Sequence, residues 1–238
     1  MKLSVKRAGE LVSNRWFRRA MLRGRPIPGL RRVTPRGEAQ AGYTEDNVLI
    51  ITGSSSFFDY AHYNLRPNRF VPHSEGYRRI TSQFGYAPFH KGFLLHASEV
   101  MAFVGDDLPD FIVGHSLGAA SAQIVGMTLN IPTITFASPQ TVARRFLDQP
   151  ALRQISHPQW NILNIAWRTD IATRGYRFLG MRCLGFREVL EIQGWRNRRI
   201  DHFASDYLRL LRDDADKGPG RKVPDAWPDR SYAVPKLV

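Results

Sequence analysis

The chain has 238 residues, 43% of them hydrophobic, with 34 Lys and Arg against 21 Asp and Glu, a net charge of +13. That length and apolar content suit one globular domain with a sizeable core, while no run of about 18 apolar residues marks a membrane-crossing helix and no apolar secretory stretch opens the sequence. The single cysteine, Cys183, excludes an intramolecular disulfide, and its neighbours Leu179, Met181 and Leu184 predict a buried small hydrophobe; the expected location is cytoplasmic, free or peripheral at a membrane surface.

Positive charge is concentrated at one end. Residues 1–37 hold eleven Lys and Arg, from Lys2 to Arg36, against Glu10 alone, so ten of the thirteen net charges belong to this segment. Residues 2–22 predict an amphipathic helix, with Leu3, Leu11, Val12, Trp16, Phe17, Met21 and Leu22 supplying its apolar surface. Pro26, Pro28, Gly29 and Pro35 then break any helix, and residues 24–37 read as an extended connector. The expected organisation is a basic arm over 1–40, a body over 41–212 and a Pro/Asp-rich tail over 213–238, in which Trp227, Tyr232 and Val234 offer docking points. Three readings of the arm stay open: attraction to an anionic membrane through arginines around Trp16 and Phe17, unselective binding of nucleic acid, or no specific partner.

Within the body, Val48 to Thr52 predicts a buried strand ended by Gly53, and residues 92–104 a helix. Phe111-Ile112-Val113 is a second buried strand, running through Gly114-His115-Ser116-Leu117-Gly118 into a helix that reaches about Leu129. Strands are predicted over 133–137, 160–166 and 186–192, and a last helix over 201–211. Strands alternating with helices imply a mostly parallel central sheet flanked by helices, in a single compact α/β domain.

The chemistry sits in the Gly-x-Ser-x-Gly turn. Its glycines permit a sharp strand-to-helix reversal, which lifts the Ser116 hydroxyl out of the sheet and aims the first helical N–H groups at a developing oxyanion. That is an α/β-hydrolase-like nucleophile, and it needs a base and an orienting acid in the chain order Ser, Asp or Glu, His. His202, at the start of the last helix, is preferred over His157, which lies in a Ser-His-Pro-Gln turn. Asp170 follows an apolar strand by a short turn, and strand carboxyl ends face the active site in open α/β sheets; it is preferred over Asp148 and Asp201. The oxyanion hole is assigned to the N–H groups of Leu117 and of Ser54, in the Gly53-Ser54-Ser55-Ser56 turn after the first strand. His115 is read as a prop for the turn rather than a base.

Four further stretches join this turn in a resemblance to the lipase class 3 family, the fungal-type triacylglycerol lipases and their relatives. Ile51-Thr52-Gly53-Ser54 with Asp59-Tyr60 resembles the family's oxyanion loop, and His90-Lys91-Gly92-Phe93 its His-x-Gly-Phe segment. Thr135 to Pro139 resembles its Thr-Phe-Gly-Ser-Pro strand end, and Asn164 to Ile171 its acid loop, which places the family's acid on Asp170 and its last histidine on His202. The resemblance covers Val48 to Leu211 and departs from the family at Thr52, where an arginine is usual, at Tyr60, where tryptophan is, and at Ala172-Thr173-Arg174. It implies a lid region around Phe57, Phe58, Tyr60 and Tyr63, which serve either as an acyl-chain wall or as packing.

The expected activity is a serine lipase or esterase working through an acyl-enzyme on acyl esters, lipids foremost, without metal or cofactor. Two alternatives use the same residues differently: a catalytically silent hydrolase scaffold that binds or assembles, and an acyltransferase. Oligomeric state is left open.

Overall fold

The computed structural model describes residues 2–53, 74–84, 89–143, 161–167, 170, 173, 181–190, 203–215 and 223–228. Its elements in chain order are β1 (Leu3–Ser4), α1 (Val5–Ser13), α2 (Arg15–Arg23), β2 (Leu30–Val33), β3 (Ala41–Thr44), β4 (Val48–Ile51), α3 (Glu75–Phe84), α4 (Lys91–Val104), β5 (Phe111–His115), α5 (Leu117–Leu129), β6 (Thr133–Phe136), β7 (Val142–Ala143), β8 (Ile162–Trp167), β9 (Met181–Arg182), β10 (Phe186–Leu190), α6 (Ala204–Ala215) and β11 (Ala226–Trp227).

Every residue of β4, β5, β6 and β8 is buried. Strands covered on both faces favour apolar runs over alternation, which is how β4 (Val-Leu-Ile-Ile) and most of β8 (Ile-Leu-Asn-Ile-Ala-Trp) read, whereas β6 (Thr-Ile-Thr-Phe) alternates and buries its threonines. Among the described residues they form a seven-stranded sheet in the order β10-β8-β6-β5-β4-β3-β2. β4, β5, β6, β8 and β10 are parallel, with Ile50 opposite Val113, Val113 opposite Ile134 and Ile134 opposite Leu163. β3 and β2 extend one edge antiparallel. On one face, Ile80 of α3, Phe93, Ala97 and Met101 of α4 and Ile124 of α5 share a core with Leu49, Ile51 and Ile112. On the other, α1, α2 and α6 bring Val5, Leu11, Val12, Met21, Tyr207 and Leu211 against Ile50, Val113, Phe136 and Ile165.

The basic N-terminal segment, expected as an arm, packs on the sheet through its apolar residues. Except for Arg32, which packs on Tyr43 and Phe103, its arginines lie at the surface, while Val5, Ala8, Leu11, Val12, Ala20, Met21 and Leu30 are each at most 4% exposed. Burying a large aliphatic side chain is worth about 1.5–3 kcal/mol, so undocking this segment would forfeit on the order of 10 kcal/mol, as much as a whole domain's net stability. Charge density in the sequence reports the outer face only.

The single helix expected over 2–22 is two. Asn14 leaves helical geometry at φ −67°, ψ 106°, ends α1, and accepts hydrogen bonds at Oδ1 from the N–H groups of Trp16 and Phe17 at 2.9 and 3.3 Å, capping α2. Gly24, at φ 64°, closes α2 with its N–H on Ala20 and Met21 carbonyls. The connector carries edge strand β2, held by its own charge: Arg31 donates to both Asp107 carboxylate oxygens at 2.8 and 3.0 Å, and the Arg31 and Arg32 guanidinium groups lie 4.4 and 4.8 Å from the Tyr43 ring centre. Those hydrogen bonds hold the Asp107 carboxyl below its usual range, and burial, with the nearby Asp107 charge, pushes the Tyr43 phenol up to about 12.

Part of the C-terminal tail docks. β11 pairs with β1, Leu3 opposite Trp227, and the Trp227 indole, 1% exposed, donates to the Asn161 carbonyl at 2.7 Å. Cys183 is half-buried rather than buried, its Sγ 3.9 Å from the Pro139 carbonyl oxygen.

Candidate active site

Ser116 has φ 57° and ψ −126°, a conformation that costs a residue bearing a Cβ on the order of 1–3 kcal/mol. The surroundings enforce it. Its N–H donates to the Phe136 carbonyl at 3.0 Å, and its own carbonyl accepts from Ala119 and Ala120 at 2.9 and 3.2 Å, starting α5. The flanking glycines are required by close approach: a Cβ on Gly114 would fall 2.7 Å from the Ala119 Cα, and one on Gly118 would collide with the carbonyls of Ile51 and Thr52. Ser116 itself is half-exposed while His115 and Leu117 on either side are buried. Leu117 is the first residue of α5, so its N–H has no acceptor within the helix.

The end of β4 closes over this elbow. An ideal Cβ on Gly53 would sit 2.6 Å from Ser116 Cβ and 3.2 Å from its Oγ, so only a glycine backbone passes there. Thr52, one residue earlier, is tied to the neighbouring strand by its N–H on the Gln40 carbonyl at 2.9 Å and its hydroxyl on Gln40 Oε1 at 3.2 Å. The loop that leaves β4 therefore starts beside the serine.

Asp170 lies beyond β8, at the same carboxyl edge of the sheet as Ser116 and two strands away across β6. It is 3% exposed, and its Oδ2 accepts a 2.8 Å hydrogen bond from the Tyr207 hydroxyl, which in turn accepts from the Trp167 N–H at 3.0 Å. The Asp170 carbonyl accepts from the Thr173 hydroxyl at 2.8 Å. Tyr207 thus ties α6 to the acid's turn, and its ring meets those of His115 and Phe136 edge-on at 6.5 and 6.3 Å. Sequence reasoning gave Tyr207 no role.

A buried polar network fixes the loop after β6. Gln123 of α5 donates to the Ser138 hydroxyl and accepts from Thr141 Oγ1 and the Leu184 N–H at 3.1 and 2.7 Å. Asn164 accepts from Thr135 Oγ1 at 2.6 Å and donates to the Leu184 carbonyl. Fully satisfied networks of this kind hold one geometry. The motif residues Thr135, Ser138 and Asn164 therefore position the strand ends. Burial lowers the pKa of His90, whose ring lies tilted against that of Phe93, their centres 4.6 Å apart.

The sequence matches no protein-family model, and it matches no curated protein. In three dimensions it is similar to Rhizomucor miehei triacylglyceride lipase, with a TM-score of 0.51 at 17% identity over 79% of this chain and 82% of that one. Lip2 lipase from Yarrowia lipolytica gives 0.44 at 18% identity over 62% of this chain and 60% of that one, so the chain spans less than two thirds of that lipase's length. A triacylglycerol lipase from Penicillium expansum gives 0.44 at 15% identity, with 77% of each chain covered. The fold is an α/β-hydrolase of the fungal-lipase type.

In this hydrolase fold Ser116, Leu117 and Asp170 stand at one edge of the sheet. Ser54, Phe57, Phe58, Tyr60, Tyr63 and His202 lie outside the described residues.

Proposed function

We propose that the chain is a serine carboxylic-ester hydrolase acting on acyl esters, lipids foremost. The observation that carries this is the strained Ser116 backbone, φ 57° on a residue with a Cβ, held at the mouth of a helix with Gly53 against its side chain. A polar residue kept in such a conformation by its whole surroundings marks a functional site. In the proposed reaction His202 takes the Ser116 proton as Oγ attacks the ester carbonyl, and Asp170 orients His202. The N–H groups of Leu117 and Ser54 stabilise the tetrahedral oxyanion. The alcohol leaves with the proton from His202, and water, deprotonated by the same histidine, releases the acid. Support for His202 comes from α6, which starts two positions after it and is anchored to Asp170 through Tyr207.

The test is hydrolysis of p-nitrophenyl esters of short, medium and long acyl chains by wild type and Ser116→Ala, with circular dichroism as the control for folding. Turnover abolished by the substitution is the expected result, and the chain-length series reports the acyl preference. Equal rates from both proteins, together with no labelling of Ser116 by a fluorophosphonate, would leave the silent scaffold. Acyl transfer to an added alcohol exceeding hydrolysis would make the chain an acyltransferase.

A further inference from the structure

Three of the outward arginines converge. Arg15, Arg18 and Arg19 of α2, with Leu22 and Gln40, line a cavity of ≈ 200 Å³. Arg31 and Arg32 have Asp107 as a partner, whereas among the described residues no carboxylate lies within ion-pair distance of Arg15, Arg18 or Arg19. Like charges three and four positions apart on a helix destabilise it. The arrangement becomes favourable when an anion enters, and guanidinium groups bind phosphate oxygens bidentately.

Exposed apolar side chains accompany these arginines. Trp16 and Leu22 are 54% and 47% exposed, and the guanidinium groups of Arg15 and Arg19 lie 5.0 and 5.4 Å from the Trp16 ring centre. An amphipathic aromatic among cations, on a helix whose other side is docked, is suited to the headgroup layer of a bilayer. One of its lining residues, Gln40, is also linked to the proposed active site. Gln40 precedes β3 and is bonded to Thr52, opposite it at the carboxyl end of β4, and Gly53 follows against Ser116. Two strand spacings, about 10 Å, separate Gln40 from the serine.

We propose that this cavity is a phosphate site for the headgroup of an anionic phospholipid, by which the Ser116 edge of the sheet docks on a membrane surface. A phosphate seated there would leave acyl ester bonds of the same leaflet beside the serine. The site rests on α2 and does not require Ser116 to be a nucleophile.

The experiment is cosedimentation of the full chain, in the Ser116→Ala background so that lipid is not consumed, with phosphatidylcholine vesicles with and without phosphatidylglycerol. Binding only to the anionic vesicles is expected. Arg15→Gln/Arg18→Gln/Arg19→Gln should weaken it on the order of a hundredfold, roughly fivefold per arginine. A charge-matched control, Lys2→Gln/Lys6→Gln/Arg78→Gln, at exposed positions that do not line the cavity, should change it far less. Trp16→Ala, which leaves all charges in place, should weaken it several-fold, and thermal melting checks that each variant folds. Equal loss in the control, or equal binding to neutral vesicles, would overturn the proposal. So would arginine-dependent binding of a single-stranded oligonucleotide with none to vesicles, which would make the cavity a nucleic-acid site.

Discussion

Gly53→Ala puts one methyl group between the end of β4 and the proposed nucleophile. The new Cβ would lie 2.6 Å from Ser116 Cβ, 3.0 Å from the His115 carbonyl oxygen and 3.2 Å from Ser116 Oγ. Carbon atoms rest at about 3.5–4.0 Å, so the two segments must separate by about 1 Å. Neither side yields freely: Ser116 is bonded to Phe136 across β6, and Thr52 is bonded to Gln40 across β3. The backbone φ of Gly53 lies outside the left-handed region, so the effect is that of the methyl group alone. A displacement of about 1 Å at a reacting group costs on the order of a hundredfold, and loss of an oxyanion donor about as much or more. Overpacking of this kind destabilises by about 1–3 kcal/mol. The assay is p-nitrophenyl ester hydrolysis at saturating and limiting substrate, alongside a thermal melt. The expected result is kcat reduced on the order of a hundredfold with KM changed by no more than a few-fold. Full kcat in Gly53→Ala, beside a dead Ser116→Ala, would refute the placement of the oxyanion loop over the serine.

Tyr207→Phe should remove the hydroxyl that accepts from the Trp167 N–H and donates to Asp170, costing about 1–3 kcal/mol in chemical denaturation; if Asp170 orients the base, kcat falls about tenfold or more while KM holds, whereas a loss of stability alone would reject that role. Ser116→Gly should be more stable than Ser116→Ala by about 1 kcal/mol in thermal unfolding, because the relief of the positive φ exceeds the extra entropy that glycine loses on folding; a glycine variant less stable than the alanine one would show that the elbow is unstrained. Tyr43, pushed up to about 12 in the fold, ionises in the unfolded chain first. The folded state therefore holds more protons between about pH 10 and pH 12, and stability falls as pH rises through that window; Tyr43→Phe should flatten this alkaline decline in denaturant titrations.

The parallel half of the sheet was legible because β4, most of β8 and the start of β5 are apolar runs, as strands buried on both faces tend to be, while β6, Thr-Ile-Thr-Phe, stands out by its β-branched and aromatic residues. Ser116 and the glycines beside it were legible because few local sequences allow that reversal. The antiparallel edge was not. β3 is Ala-Gly-Tyr-Thr, without alternation, and β2 lies among prolines tolerated at a sheet edge. Nor could spacing separate a docked basic helix from a loose one, since the outer face of α2 carries the arginines and only Ala20 and Met21 of it are buried. Tyr207 was invisible as a clamp because its role depends on meeting Asp170, 37 positions away in sequence.

The pairing of β1 with β11 makes the order of synthesis matter. Leu3 meets Trp227, and the Val5 N–H meets the Asp225 carbonyl. At ribosomal speeds of about 5–20 residues per second, the first of these partners waits on the order of 10–45 s for the second. During that interval α1 has emerged while α6, against which it packs, has not. Its apolar side, Val5, Ala8, Leu11 and Val12, is open to a chaperone or to another nascent chain. The arginines that crowd the opposite side of this segment then act as a solubilising coat on the growing polypeptide, well before any partner of the finished protein is met.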